Sequence, residues 1–352
     1  MYNEVSYEQY AADGICDMMR ASFRTRTPGE TTGEPAGGAG TRKREGDSMK
    51  MLWKTMAKNK ELNALILPGF LYVLVMSYLP MVGIIIAFKQ YRYDKGLFGS
   101  SWVGFDNFRF FFVSDQAWIL IRNTVLYNAG YIVLTAIFAI ALAVFMYEIR
   151  GGFIKLYQTI LFLPYFLSFV LVSYITYAFL DHQSGYLNEA LQSVFGAEPV
   201  RWYAEERYWP YILNVVHLWK SIGFSALMYF AAIIAIDQTY YEAARIDGAT
   251  RLHMVFRITI PLIAPVIFTL FILSMGGMFR GDFGLHYFVP NNSSLVYDAT
   301  DVIDTYVYRA LRSLGNVSMS AAVGLFQSVV GLVLILATNY IVRKKNEDYS
   351  MW

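Results

Sequence analysis

Between Tyr241 and Pro265 the sequence reads YEAARIDGATRLHMVFRITIPLIAP, a charged stretch set between two strongly apolar ones. Glu242 and Asp247 alternate there with Arg245 and Arg251, while Ala243, Ala244 and Ala249 keep the intervening surface small. Such residues do no covalent chemistry; they suit recognition, because small side chains admit close approach and the charges around them set register. The residue types that do covalent chemistry are scarce or scattered. The one cysteine, Cys16, excludes an intramolecular disulfide and a thiolate metal cluster. His182, His217, His253 and His286 lie at no metal-ligand spacing. There is no G-x-x-x-x-G-K-[ST] phosphate loop, no H-E-x-x-H and no nucleophile–base pair, and Gly151-Gly152 beside Lys155 lacks the phosphate-loop spacing. The chain is therefore expected not to hydrolyse nucleotide and to hold no cofactor of its own.

Four further residues are candidates for contact with a transported solute. Lys220 and Asn128 are polar residues inside apolar runs, and an ionisable group at membrane depth is a functional candidate by default. The plainer readings are that Lys220 snorkels to an interface and that Asn128 bonds a neighbouring helix. Gly276-Gly277 ends an apolar run just before Arg280 and Asp282. A broken helix end there would expose backbone groups to a polar ligand; the plainer reading is a simple exit from the membrane.

The elements that must hold these residues are membrane helices. Of 352 residues, 56% are apolar and 16% charged, against about 25% charged in soluble domains, and mean hydropathy is +0.37. A net charge of +2 is too small for a nucleic-acid partner. Six apolar runs, near Leu62–Phe88, Thr124–Tyr147, Tyr157–Leu180, Tyr211–Ile236, Pro261–Phe279 and Met319–Val342, approach or exceed the roughly 20 residues that cross a bilayer. Lipid cannot satisfy free backbone groups, and continuous apolarity without strict alternation selects helices over barrel strands. Pro68, Pro80, Pro164 and Pro265 lie in or near these runs, and are tolerated where neighbours satisfy the freed carbonyls. No apolar core with a cleavage site marks a signal peptide. Residues 1–48 read as a disordered polar leader; translation from Met49 or Met51 is the competing reading. Residues 49–352 form the membrane domain.

Lys and Arg set orientation. They cluster before the first run (Arg42 to Lys60), in the short link holding Arg150 and Lys155, in the link holding Arg245, Arg251 and Arg257, and after the last run at Arg343–Lys345. The positive-inside rule puts both termini and residues 238–260 in the cytoplasm. Lys89, Arg92, Lys95, Arg109 and Arg122 in the first external loop are a mild exception. Within the insert, Gln238–Ile246 and Thr250–Ile258 read as two short helices hinged at Gly248, which reaches left-handed angles freely. Thr250 suits an N-cap and Pro261 the first turn of the next span.

Glu242-Ala243-Ala244, then Asp247-Gly248-Ala249, then Phe256 and Ile258-Thr259-Ile260-Pro261 resemble the cytoplasmic signature of ABC-importer membrane subunits. The signature's usual leucine is Ile260 here, and the proline that many relatives carry before the triplet is absent from Asp237-Gln238-Thr239-Tyr240-Tyr241. The resemblance covers Lys54–Trp352 and is nearest the maltose-type carbohydrate branch, in particular permeases for plant or algal polysaccharide fragments. Leu62–Phe88, Asp301–Arg309, Gly324–Ser328 and Trp352 resemble that subgroup. It implies an all-α type I importer fold of six transmembrane helices in a bacterial cell membrane. It also implies a coupling insert made by Tyr241, Glu242, Ala243, Ala244, Asp247, Gly248, Ala249, Phe256 and Pro261. The implied partners are a second homologous permease, two ATPases that hold ATP and Mg, and an extracytoplasmic solute-binding protein. The rival reading is an ion-coupled secondary transporter, which needs ionisable residues near mid-membrane and usually inverted repeats. A membrane scaffold without transport is a second rival.

Overall fold

A computed structural model describes residues 60–109, 113–149 and 153–351; the polar leader 1–48 and Trp352 lie outside them. The chain divides into two units, Met1–Val75 and Met76–Trp352. The described part of the first is helix α1 (Lys60–Val73) with Pro68 in its interior, running into a π-turn at Leu74–Tyr78. That turn straddles the boundary between the units, and a 3₁₀ stretch, Leu79–Phe88, follows it in the second unit with Pro80 in its first turn. Pro80 has no N–H for the Met76 carbonyl and its ring crowds it, which accounts for a change of helical pitch at this place.

The second unit is helical apart from one two-residue hairpin among the described residues, β1 (Lys89–Gln90) against β2 (Ser101–Trp102), paired antiparallel with Lys89 opposite Trp102. Besides single helical turns at Gly96–Gly99 and Tyr297–Thr300, its α-helices are α2 (Asp115–Glu148), α3 (Ile154–Phe166), α4 (Phe169–Leu180), α5 (Tyr186–Phe195), α6 (Trp209–Ile234), α7 (Gln238–Ile246), α8 (Arg251–Met254), α9 (Ile260–Gly276), α10 (Phe283–Phe288), α11 (Ile303–Leu314) and α12 (Val317–Lys345). Among the described residues five helical runs are long and apolar enough to cross a membrane: Asn63–Phe88, Gln116–Glu148, Glu206–Ile234, Arg251–Gly276 and Val317–Lys345. At 1.5 Å per residue α2 is about 50 Å long, well beyond the ~30 Å hydrocarbon core, so it projects from the membrane.

The third apolar run is α3 and α4 meeting at a bend of 98°; among the described residues the spans number five continuous ones, or six with this bent pair taken as one. Pro164 interrupts the ladder inside α3. Leu167 and Ser168 then take extended angles (ψ 134° and 151°), and the Ser168 hydroxyl restarts the helix by accepting from the Leu171 N–H at 3.3 Å. The helical run that holds the fifth apolar stretch starts at Arg251, ten residues before Pro261.

Among the described residues three buried clusters hold the unit together. Near the α7 end, Ala139, Ala143 and Met146 of α2 meet Ala226, Phe230 and Ile233 of α6 and Ile263 of α9. At the other end Tyr127, Tyr131, Trp209, Leu213, Leu285 and Val289 form one cluster, and Leu120, Ile303, Met319 and Val323 form another. Lipid is as apolar as these side chains, so close fit rather than water exclusion stabilises them within the membrane. Glycine makes that fit possible where α3 crosses α6: a Cβ at Gly223 would collide with the backbone carbonyl of Leu161.

Candidate functional site

The insert is built on the end of α6. After Ala235 and Ile236 the backbone turns extended at Asp237, whose carboxylate accepts from the Thr239 N–H at 2.9 Å and caps α7. That bond holds the Asp237 carboxyl below the usual carboxylate range. At the other end Ala249 N–H reaches the Ala244 carbonyl (2.9 Å) and Gly248 N–H the Arg245 carbonyl (3.1 Å). These are the two bonds of a Schellman ending, which needs a left-handed residue; Gly248 supplies it at φ 80°. Thr250 Oγ1 then accepts from the His253 N–H at 3.3 Å and caps α8. Instead of a separate piece ending at Ile258, α8 runs through a π segment, Val255–Thr259, into α9 with Pro261 in the first turn.

Three side chains fasten the insert to the bundle. Tyr241 is 4% exposed and its hydroxyl lies 2.9 Å from Thr259 Oγ1. Gln238 and the Tyr147 hydroxyl, at the end of α2, exchange bonds of 2.8 and 3.1 Å. Arg251 pairs with Glu148 at 2.9 Å, an exposed pair worth less than about 1 kcal/mol. Glu242, Ala243, Asp247 and Gly248 face outward, as do Phe256 and Pro261, while Ala244 and Ala249 are half-buried. Of the residues singled out from sequence, then, Tyr241 points inward and anchors the insert, Ala244 and Ala249 are half-buried, and the others are exposed. The insert also exposes two residues that sequence reasoning passed over. Ile246 is 87% exposed and Leu252 71%, flanking the Gly248 turn. Their signal was an isoleucine and a leucine on an otherwise polar insert.

Farther along the bundle a cavity of about 660 Å³ opens between α2, α6 and α9. Asn128, Tyr131, His217, Ser221, Ser274 and Gly277 give it its polar lining, and no Lys, Arg, Asp or Glu is among the described residues that line it. The Tyr131 ring stacks on His217 at 3.9 Å, 10° from parallel. Tyr131 also bonds His286 Nε2 at 3.0 Å, and His286 Nδ1 lies 2.8 Å from the Thr300 carbonyl. A carbonyl only accepts, so Nδ1 carries the proton and Nε2 accepts from the tyrosine. Burial pushes the His286 imidazole down to about 4, and it is held neutral.

Asn128 and Gly277 line this cavity. The Asn128 amide N–H₂ reaches the carbonyls of Thr124 (2.9 Å), Met278 (3.2 Å) and Arg280 (2.9 Å), tying α2 to the exit of α9. Gly276 and Lys220 are not part of the lining. The Gly276 carbonyl lies against Gly331 of α12, where a Cβ would not fit. Lys220 turns toward the break between α3 and α4, where its Nζ meets three carbonyl oxygens. The Asp301–Arg309 segment forms a network that sequence reading left undescribed: buried Asp301 pairs with Arg309 and accepts from Thr305, and the Arg309 guanidinium lies 4.1 Å above the Tyr297 ring.

Residues 155–347 match the family described as binding-protein-dependent transport system inner membrane component. The chain is 35% identical over 294 residues to Protein LplB of Bacillus subtilis, covering 83% of this chain and 92% of that one. It is 36% identical over 305 residues to the polygalacturonan/rhamnogalacturonan transport system permease protein YteP of the same organism, covering 86% and 94%. Its fold is similar, with a TM-score of 0.76 and 32% identity, to a chain of a bacterial ABC transporter involved in the import of the acidic polysaccharide alginate, covering 84% of this chain and 99% of that one. The same likeness extends to that transporter in complex with an alginate pentasaccharide-bound periplasmic protein.

Proposed function

The chain belongs to the family of binding-protein-dependent transport system inner membrane components, transport subunits rather than enzymes, and from that premise we propose that it is one permease subunit of an ATP-driven importer of oligosaccharides. The observation that carries the reading is the insert: a rigidly capped helix with an inward anchor, Tyr241, and an outward apolar pair, Ile246 and Leu252. Exposed apolar side chains ringed by charge are the usual anatomy of a protein-docking patch. An ATPase subunit is the partner that would occupy it, with ATP and Mg bound on that subunit. Both termini and the insert then lie in the cytoplasm, as the basic residues require. A second homologous permease completes the pore, and a solute-binding protein delivers cargo on the far side.

The cavity suits the cargo. Sugar hydroxyls both donate and accept hydrogen bonds, and His217, Ser221 and Asn128 present groups of that kind beside the flat Tyr131–His217 stack. Oligosaccharide, including fragments of the polygalacturonan type handled by YteP, is therefore the substrate class. ATP-driven closure of the ATPases would displace α7, and α7 continues directly from α6, whose His217 and Ser221 line the cavity. The work comes from differential binding of the two transporter states by the partners. The ion-coupled rival is less well supplied: no Asp or Glu lies inside the apolar portion of any described span, and the ammonium of Lys220 there is engaged by backbone carbonyls.

Co-purification tests the reading. Ile246→Glu is expected to abolish capture of the ATPase in detergent and ATP-dependent sugar uptake, while the variant reaches the membrane at wild-type abundance. Wild-type capture and uptake by that variant would refute docking through this face.

A further inference from the structure

The bend between α3 and α4 leaves carbonyls without helical partners, because the chain runs extended at Leu167 and Ser168. An orphan carbonyl at membrane depth has no water to bond and destabilises the fold unless another group supplies a donor. Lys220 of α6 supplies it. Its Nζ donates to the carbonyls of Leu167 (2.6 Å) and Tyr165 (2.9 Å), and at 3.4 Å to that of Pro164, which also accepts from the Leu167 N–H at 3.2 Å. An ammonium has three N–H donors, so the whole donor set is engaged. The ammonium also lies 4.8 Å over the Phe169 ring at the start of α4, on the far side of the break from Tyr165. A cation at the carboxyl end of α3 further favours the helix dipole there. Among the described residues no carboxylate stands within 4 Å of it. Its direct neighbours are backbone oxygens and aromatic faces, with the Asp282 carboxylate farther off but still felt as an opposite charge.

From this geometry we propose that Lys220 is a positioning residue, a latch that fixes the bend of the broken span to α6 and so couples that span to the docking insert. One helix carries both functions. Lys220 and the α7 junction are about 20 Å apart along α6, and between them Gly223 lets the α3 backbone at Leu161 rest directly on α6. A shift of α6 driven at α7 therefore reaches α3 and α4 through two contacts, the backbone crossing at Gly223 and the ammonium at the break. On this account Lys220 does not touch the sugar. The transport half of the proposal rests on the permease reading above; the structural half does not.

The test uses the full chain in lipid nanodiscs in a Cys16→Ser background, with spin labels at Tyr157→Cys on α3 and Tyr174→Cys on α4 to read the bend as a distance distribution. Lys220→Met, which keeps length and removes every donor, is expected to broaden that distribution. In the assembled transporter it should lower sugar uptake at least ten-fold while ATPase capture stays within two-fold. Lys220→Arg, which keeps charge and donors, should restore the narrow distribution and uptake to within about three-fold. A Lys220→Met protein with the native distribution, or with native uptake, overturns the proposal. If Lys220→Met does not accumulate, Lys220→Gln decides: uptake below Lys220→Arg supports the latch, and uptake equal to wild type overturns it. Broadening by Lys220→Met in a chain whose wild type shows no ATP-dependent uptake would uphold the latch and refute the permease reading instead.

Discussion

Gly248→Ala isolates what the turn of the insert contributes. At φ 80° an L-residue pushes its Cβ toward its own carbonyl, at a cost of about 1–2 kcal/mol. A Cβ built there meets nothing within 4 Å, so no neighbour adds a clash and none compensates; the penalty is conformational alone. It acts on the two bonds that close the Schellman ending, and hence on the angle at which Ile246 and Leu252 are presented together. A penalty of 1–2 kcal/mol lowers the turned population relative to alternatives by a factor of about 5 to 30. Apparent affinity falls in proportion once the turned form is the minor one. Titrating purified ATPase against the permease in nanodiscs should therefore give a Kd raised by up to that factor for Gly248→Ala. Gly248→Asn should show a smaller rise, because asparagine visits left-handed angles more readily. Gly196→Ala is the control, since Gly196 ends α5 at φ 63° with nothing within 4 Å, so the same backbone penalty falls away from the insert. If Gly248→Ala binds as the wild type does, or if Gly196→Ala weakens binding equally, the turn does not set the docking geometry.

Two further predictions concern the bundle. The His286 imidazole is pushed from its usual 6.5 down to about 4 by burial, so the native state stays neutral where the unfolded chain already takes up a proton. Stability from this site is fully present above pH 6.5 and is lost as pH falls from there toward 4, on the order of 3 kcal/mol in all; the thermal midpoint in detergent should drop across that window, and His286→Asn should flatten the drop. Gly223→Ala should destabilise by at least about 1–3 kcal/mol, because its Cβ would strike the rigid Leu161 backbone, whereas Gly130→Ala meets the movable Asn214 side chain and should shift the thermal midpoint less; equal shifts for the two would contradict the backbone crossing.

What could be read from sequence follows the range of the interactions involved. The bounds of α7, the left-handed Gly248 and the Thr250 cap each depend on residues within one turn, and each could be placed from residue types alone. The broken span was harder. Apolarity runs unbroken from Tyr157 to Leu180, and Pro164 with Ser168 four residues later is a faint signal, because prolines occur in straight membrane helices too. What holds the bend is Lys220, more than fifty residues farther along the chain, and no local pattern announces that pairing. His286 likewise looked like one of four scattered histidines until Tyr131 and Thr300 closed around it. Tyr241 belonged to the insert in sequence but is turned under it in space, since its partner Thr259 lies beyond the π segment.

That π segment has a consequence for rotational phase. A π-turn is an α-helix with one residue too many, and each α-helical residue advances the side chains by about 100°. Within Val255–Thr259 the i→i+5 bond puts the fifth residue where the fourth would stand in an α-helix, so the surplus is taken in without a change of phase between α8 and α9. Were one residue of Val255–Ile258 deleted, the run could close into a regular α-helix with the insert still facing the same way. A residue deleted instead from the regular part of α9 has no such slack to draw on, and would swing everything before it by about 100° relative to the membrane face of the helix beyond. The π segment is thus the one place along this run where a residue of length can be lost while the insert keeps its direction.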